Sequence, residues 1–143
     1  MNTYRITDVF LGLKEEFRVS VSEEMLNRFS VLTGDHNPLH CDKDFAQSCG
    51  YTDRVAYGML TGAFLSTLAG MYLPGKYSLI QSVEMKFKQP VFIGDTLTVC
   101  GCVEEIYENL QIMRVRVLIK NQKGVSVLMG KMQIGWTSEQ FDE

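Results

Sequence analysis

The stretch GMLTGAFLSTLAGMYL, residues 58–73, limits what this chain can fold into more than any other segment. Its apolar residues, from Met59 and Leu60 through Phe64 and Leu68 to Leu73, go nearly all the way round a helical wheel. A helix that is apolar on every side is expected to be buried on every side. A membrane could do the burying, but a span needs roughly 18 uninterrupted apolar residues, and Thr, Ser and Gly break this stretch. No membrane partner is therefore expected, and the chain itself must wrap the helix, which Pro74-Gly75 closes.

Strands are available to do so. EFRVSV (16–21) alternates, and SVEMKFKQP (82–90) sets Val83, Met85 and Phe87 against Glu84, Lys86 and Lys88. TLTVCGCVEEIY (96–107), LQIMRVRVLIK (110–120) and VSVLMGKMQIGW (125–136) follow, joined at Glu108-Asn109 and Asn121–Gly124 by turn-forming residues. Strands joined by such short turns are antiparallel. Gly101 and Gly130 read as bulges or bends. Between the first strand and the apolar helix, SEEMLNRFSVLTG reads as a helix capped by Ser22 and ended by Gly34. DKDFAQSCG (42–50) reads as a short helix from Asp42 to Gly50. A sheet with one apolar face needs a cover and the helix needs a wrapping. The economical fold is α+β, an antiparallel sheet curled around a long buried central helix, the shape called a hot dog. There are no repeats, linkers or low-complexity segments, so a single domain over residues 1–143 is expected.

The formal net charge of -3, with no basic run, argues against a nucleic-acid surface. MNTYRITDVF lacks the layout of a secretory leader, so a cytoplasmic protein is expected. Cysteines 41, 49, 100 and 102 match no usual zinc spacing and read as reduced thiols filling core or strand positions.

The densest chemistry lies in TGDHNPLH (33–40), which holds both histidines of the chain. Asn37-Pro38 is a helix start, with Asn as N-cap and Pro at the first helical position. Pro38 therefore separates His36, outside the helix, from His40 in its first turn. That split works against a metal site on one helical face. Asp35, on the turn beside Gly34, and His40 could converge on one water molecule as an acid–base pair. Spacing alone leaves a second reading equally open, in which Asp35 bonds backbone amides of a turn-and-cap sequence.

TGDHNPLHCDKDFA resembles the signature of the MaoC-like (R)-specific enoyl-CoA hydratases, the hydratase 2 group. That signature is Gly-Asp-x-Asn-Pro-Leu-His with a small residue six positions on, here Ala46. YGMLTGAFLSTLAG and LPGKYSLIQSVEMKFKQPVFIGDTL resemble further segments of the family, and the likeness runs over roughly residues 17–135. The resemblance implies a hot-dog homodimer with continuous sheets, reversible syn addition of water to a trans-2-enoyl thioester, and no metal or cofactor. It implies Asp35 and His40 as the catalytic dyad, Asn37 and Ser66 in support, and the Gly58 N–H as receiver of the thioester oxygen. Helix N-termini carry free N–H groups and partial positive charge, which suits that role. For Ser66 a hydroxyl bonded back to its own helix is the alternative. The family usually has His before Gly-Met; this chain has Tyr57. His36 sits at the variable position and is assigned no role.

The expected partner is an acyl-CoA or acyl-carrier-protein thioester. Arg54, Lys76, Lys86, Lys88 and Lys123 are candidate phosphate contacts, and the central helix, through residues such as Phe64 and Leu65, is expected to line the acyl tunnel. A hot-dog thioesterase and a non-catalytic acyl-thioester-binding domain are the competing expectations.

Overall fold

In a computed structural model, which describes residues 1–138, the strands and helices follow the hydrophobic pattern closely. Residues 139–143, the end of the expected domain, lie outside the described residues. Five strands, β1 (Lys14–Ser20), β2 (Ser78–Phe87), β3 (Thr96–Tyr107), β4 (Ile112–Lys120) and β5 (Ser126–Trp136), form one sheet in the order β1-β3-β4-β5-β2. Every pairing is antiparallel. The hairpin at Asn121–Gly124 forms as expected. Gly124 donates to the Asn121 carbonyl at 3.0 Å and takes a positive φ of 74°, which glycine adopts freely.

Alternation decides which face is buried. Val99 and Val103 of β3, Met113, Val115, Val117 and Ile119 of β4, and Met132 and Ile134 of β5 all point inward and are buried. They close on the central helix, α4 (Gly58–Thr67), and on the π-helical turn Leu68–Tyr72 that extends it. Leu65, Leu68 and Ala69 are the buried side of this segment. Each Leu fully buried there contributes about 1.5–3 kcal/mol.

Two expectations are corrected. Gly101 and Gly130 are not bulges; the register shifts fall at Ile80/Ser82, Val103/Glu105 and Ile119/Lys120. The glycines make room instead. A Cβ on Gly101 would lie 3.0 Å from Leu68 Cδ2, and one on Gly130 only 2.1 Å from the Glu84 carbonyl oxygen of β2. The central helix is also not buried all round. Met59 is 59% exposed, and Ala63 and Ser66 lie exposed along the same side. The sheet covers one side of the helix and leaves this stripe open.

Before the central helix come α1 (Glu23–Thr33), α2 (Pro38–Cys41) and α3 (Lys43–Ser48). Ser22 Oγ caps α1 by accepting from the Met25 N–H, and Gly34 ends it in the left-handed region at φ 77°. Asn37 caps α2 and Asp42 caps α3. Among the described residues, no helix is long and apolar enough to cross a membrane.

Candidate active site

Asp35 stands between α1 and α2 in a stretch without helix or strand, yet its polar groups are held on several sides. Its N–H donates to Thr33 Oγ1 at 3.2 Å, and its Oδ1 accepts the Asn37 N–H at 3.0 Å. Its carbonyl oxygen accepts two hydroxyls, Ser30 Oγ at 2.9 Å and Tyr57 Oη at 2.7 Å. The second carboxylate oxygen has no hydrogen-bond partner among the described residues.

His40 is half-buried on α2. Its Nδ1 lies 2.7 Å from the Val55 carbonyl, which can only accept, so Nδ1 carries the proton. In the neutral ring Nε2 then presents a lone pair. The carbonyl of His40 is itself held by Arg54 Nε at 2.7 Å, and the Val55 N–H returns to the Leu39 carbonyl at 3.2 Å. Residues 54–56 thus strap α2 to the sheet end, where the Ala56 N–H donates to the Val91 carbonyl at 2.7 Å.

Asp35 and His40 line one cavity of about 510 Å³. Gly58 is on its wall, at the start of α4, where no side chain caps the helix and the Gly58 N–H has no acceptor among the described residues. Apolar side chains of Phe29, Tyr57, Met59 and Phe87 complete the cavity. A second cavity of about 320 Å³ shares His40, Gly58 and Phe87 with the first, and Tyr51, Lys88 and Gln89 lie on its rim. A carboxylate residue, an imidazole and a helix amino end therefore border one space, and the imidazole and the helix end also border a second. That is enough to hold a water, move its proton and stabilise an oxyanion.

Other candidate residues fall elsewhere. Asn37 lines neither cavity; its Oδ1 accepts from the Leu39 N–H at 3.0 Å, and it serves Asp35 only through its own N–H. Ser66 is exposed on α4 and lines neither cavity. Leu65 is core and Phe64 packs against it, so neither lines the cavity that holds Asp35. Arg54 is no free phosphate contact, because its guanidinium is spent on His40, Asn27 and Glu23. Lys88 lines the second cavity and also the outer sheet face, where Lys86 lies beside it. All four cysteines are free thiols; Cys100 and Cys102 are half-buried in β3, but Cys41 and Cys49 are exposed rather than core. Among the described residues, no group of three or more His, Cys, Asp or Glu could hold a metal ion.

Sequence reasoning missed Ser30, a contact of His36 and the contacts of Tyr57. Ser30 has one proton, which goes to the Asp35 carbonyl, so the His36 Nδ1 at 2.6 Å is the donor to Ser30 Oγ. Burial raises the Tyr57 phenol above its ordinary value of 10.0, and the hydrogen bond with Cys41 adds to this. The departure from the family pattern flagged position 57, but not what its side chain holds.

A family model described as a MaoC like domain matches residues 12–123. The (R)-specific enoyl-CoA hydratase of Rhodospirillum rubrum is 37% identical over 102 residues, which cover 68% of this chain and 71% of that protein. A mitochondrial 3-hydroxyacyl-(acyl-carrier-protein) dehydratase of Solanum lycopersicum is 32% identical over 108 residues, 76% of this chain and 58% of that one. The unliganded R-hydratase PhaJ1 from Pseudomonas aeruginosa superposes with a TM-score of 0.88 at 30% identity, covering 97% of this chain and 92% of that one.

Proposed function

The chain belongs to the MaoC-like domain family, and we propose that it adds water reversibly to a trans-2-enoyl thioester, giving the (R)-3-hydroxyacyl thioester. The observation that carries this reading is the shared cavity, with the Asp35 carboxylate, the His40 imidazole and the open amino end of α4 on its walls.

In the hydration direction, a water bound between Asp35 and His40 gives up a proton as its oxygen bonds to C3. The C2=C3 electrons shift toward the thioester carbonyl, and the enolate oxygen is met by the Gly58 N–H. C2 then takes a proton from the same dyad, so the dyad ends the cycle as it began. Both additions come from one side of the alkene, which makes the addition syn. The His40 tautomer suits Nε2 as the acceptor of the water proton. The two cavities share His40, Gly58 and Phe87, which supports an extended thioester placed with space on each side of the reacting bond.

CoA and an acyl carrier protein both fit as the thioester carrier, since relatives of either description match the chain. We read the chain as a single cytoplasmic hot-dog domain that works as a homodimer. The open stripe Met59–Ala63–Ser66 and the apolar residues Leu79, Val83 and Phe87 on edge strand β2 support the pairing.

The test is the purified chain with crotonyl-CoA and crotonyl carrier protein. Hydration removes the conjugated enoyl absorbance without releasing thiol, and chiral analysis returns the (R)-3-hydroxy product. Release of free thiol, or binding without turnover on every carrier, would overturn the reading in favour of a thioesterase or a binding domain.

A further inference from the structure

Tyr57 stands where the resemblance leads one to expect His, and its side chain does something an imidazole there could not do in the same way. It is 2% exposed, and although it is the N-cap residue of α4 its side chain does not cap that helix. It turns back toward residues 35–41. The hydroxyl lies 2.7 Å from the Asp35 carbonyl, which can only accept, so the phenol donates. Its ring lies 4.1 Å from the His40 imidazole, centroid to centroid, at an interplanar angle of 30°. Phe29 backs the phenol at 4.8 Å, and Cys41 Sγ lies 3.4 Å from the hydroxyl.

We propose that Tyr57 is a positioning residue for both halves of the dyad, holding the Asp35 main chain through its hydroxyl and the His40 ring through its face. This rests on the hydratase reading of Asp35 and His40. Asp35 is exposed and belongs to no helix or strand, so its backbone keeps its direction only through its hydrogen bonds. Two hydroxyls clamp its carbonyl, Ser30 from α1 and Tyr57 from the start of α4. His40 has one ring hydrogen bond, to Val55, about which the imidazole could pivot; the stacked phenol opposes that pivot. One side chain therefore sets the carboxylate against the imidazole. A dyad that must share one water responds steeply to such a change in relative position.

The experiment compares Tyr57→Phe, Tyr57→Leu, Ser30→Ala and the Tyr57→Phe/Ser30→Ala double variant in the full chain. Steady-state hydration of crotonyl-CoA is measured, with Asp35→Asn as the reference. Tyr57→Phe keeps the ring and loses one donor. Its kcat should fall about three- to tenfold, the scale of one lost hydrogen bond, with KM unchanged. The double variant should lose more than the product of the two single losses, because only then does the Asp35 carbonyl have no hydroxyl donor. Tyr57→Leu, lacking the ring as well, should fall below Tyr57→Phe. If Asp35→Asn is inactive while Tyr57→Phe and the double variant keep wild-type kcat per folded molecule, Tyr57 only fills space and the proposal is overturned. Losses in melting temperature alone, without a change in kcat, overturn it equally. Full activity in Asp35→Asn would remove the dyad reading itself, and this inference with it. If the double variant does not fold, Tyr57→Phe, which removes a single oxygen, decides.

Discussion

The guanidinium of Arg54 is tied to the backbone of His40, its Nε donating to the His40 carbonyl at 2.7 Å. Its other arms reach Asn27 Oδ1 at 2.9 Å and Glu23 Oε1 at 3.3 Å, and the side chain is only 11% exposed. One planar fork thus joins α1 to α2 at the backbone of His40. A lysine, a single point charge on a flexible stem, cannot keep three such directions. Arg54→Lys should lower kcat about tenfold and stability by about 1–2 kcal/mol, the scale of one or two lost hydrogen bonds. Steady-state kinetics beside a urea titration measure both. Equal turnover per folded molecule would mean that His40 is held without Arg54.

The proposed dyad predicts larger losses with little change in fold. Asp35→Asn leaves an oxygen to accept the Asn37 N–H but removes the charge. His40→Asn keeps a donor for the Val55 carbonyl and removes Nε2. Each should cost about 10²–10⁴ in kcat, the range for a positioned acid or base. Circular dichroism checks the fold, and wild-type rates in both variants would take the chemistry away from this pair.

Much of this was readable in the chain, and what was not has a common cause. The strand expected over 96–107 is β3 from end to end, and buried residues alternate along it from Leu97 to Val103, as in a strand with one face on the core. The turn and caps around Asp35 and His40 were legible because capping signals are local, whereas their pairing as a dyad came from the family resemblance. The bulges were not, since Gly101 answers to Leu68 and Gly130 to the Glu84 carbonyl, contacts made only after folding. Arg54 read as a surface cation for the same reason, because its partners lie on α1 and α2. Position 57 was visible as an anomaly, but its meaning needed the distance to Asp35. Local pattern encodes elements and caps; tertiary contact assigns the supporting side chains.

The same tertiary contacts give stability a pH dependence at the alkaline end. Burial raises the Tyr57 phenol above 10.0, with Cys41 adding to it, and a hydrogen bond to Glu15 raises Tyr4. A raised phenol means that the folded state holds its proton more tightly than the unfolded chain does. That stabilisation is full below about pH 10 and is lost as pH rises through the folded values. Urea midpoints should therefore fall above pH 10 in the wild type and fall less in Tyr57→Phe. Parallel curves for the two proteins would contradict the assignment to Tyr57.

Gly130 makes the β2–β5 contact testable. An alanine Cβ would stand 2.1 Å from the Glu84 carbonyl oxygen, which is backbone and cannot swing aside. The strands must part, and overpacking of this kind costs about 1–3 kcal/mol. Because β2 ends in Phe87, which lines both cavities, Gly130→Ala should lose activity as well as stability. Thermal melts with turnover measured at a permissive temperature check both effects, and an unchanged melt would mean that the sheet accommodates the methyl.

The proposed pairing of two copies rests on the open helix face. β2 is an edge strand, and Val83 and Phe87, on its helix-facing side, are 43% and 52% exposed. Beside them lies the stripe of Met59, Ala63 and Ser66. Exposed apolar residues contiguous over a helix and an unpaired strand edge favour association. A second copy brought edge to edge would bury both. Met59 and Phe87 also line the cavity that holds Asp35, so the surface proposed to pair and the wall of that cavity overlap. Val83→Arg puts a charge into the joint without touching that cavity's lining. The wild type should sediment at about twice 16.2 kDa and the variant at 16.2 kDa, with activity falling as the dimer is lost. A wild type that sediments as a monomer at every concentration while hydrating crotonyl-CoA would end the dimer reading, and the stripe would need another cover.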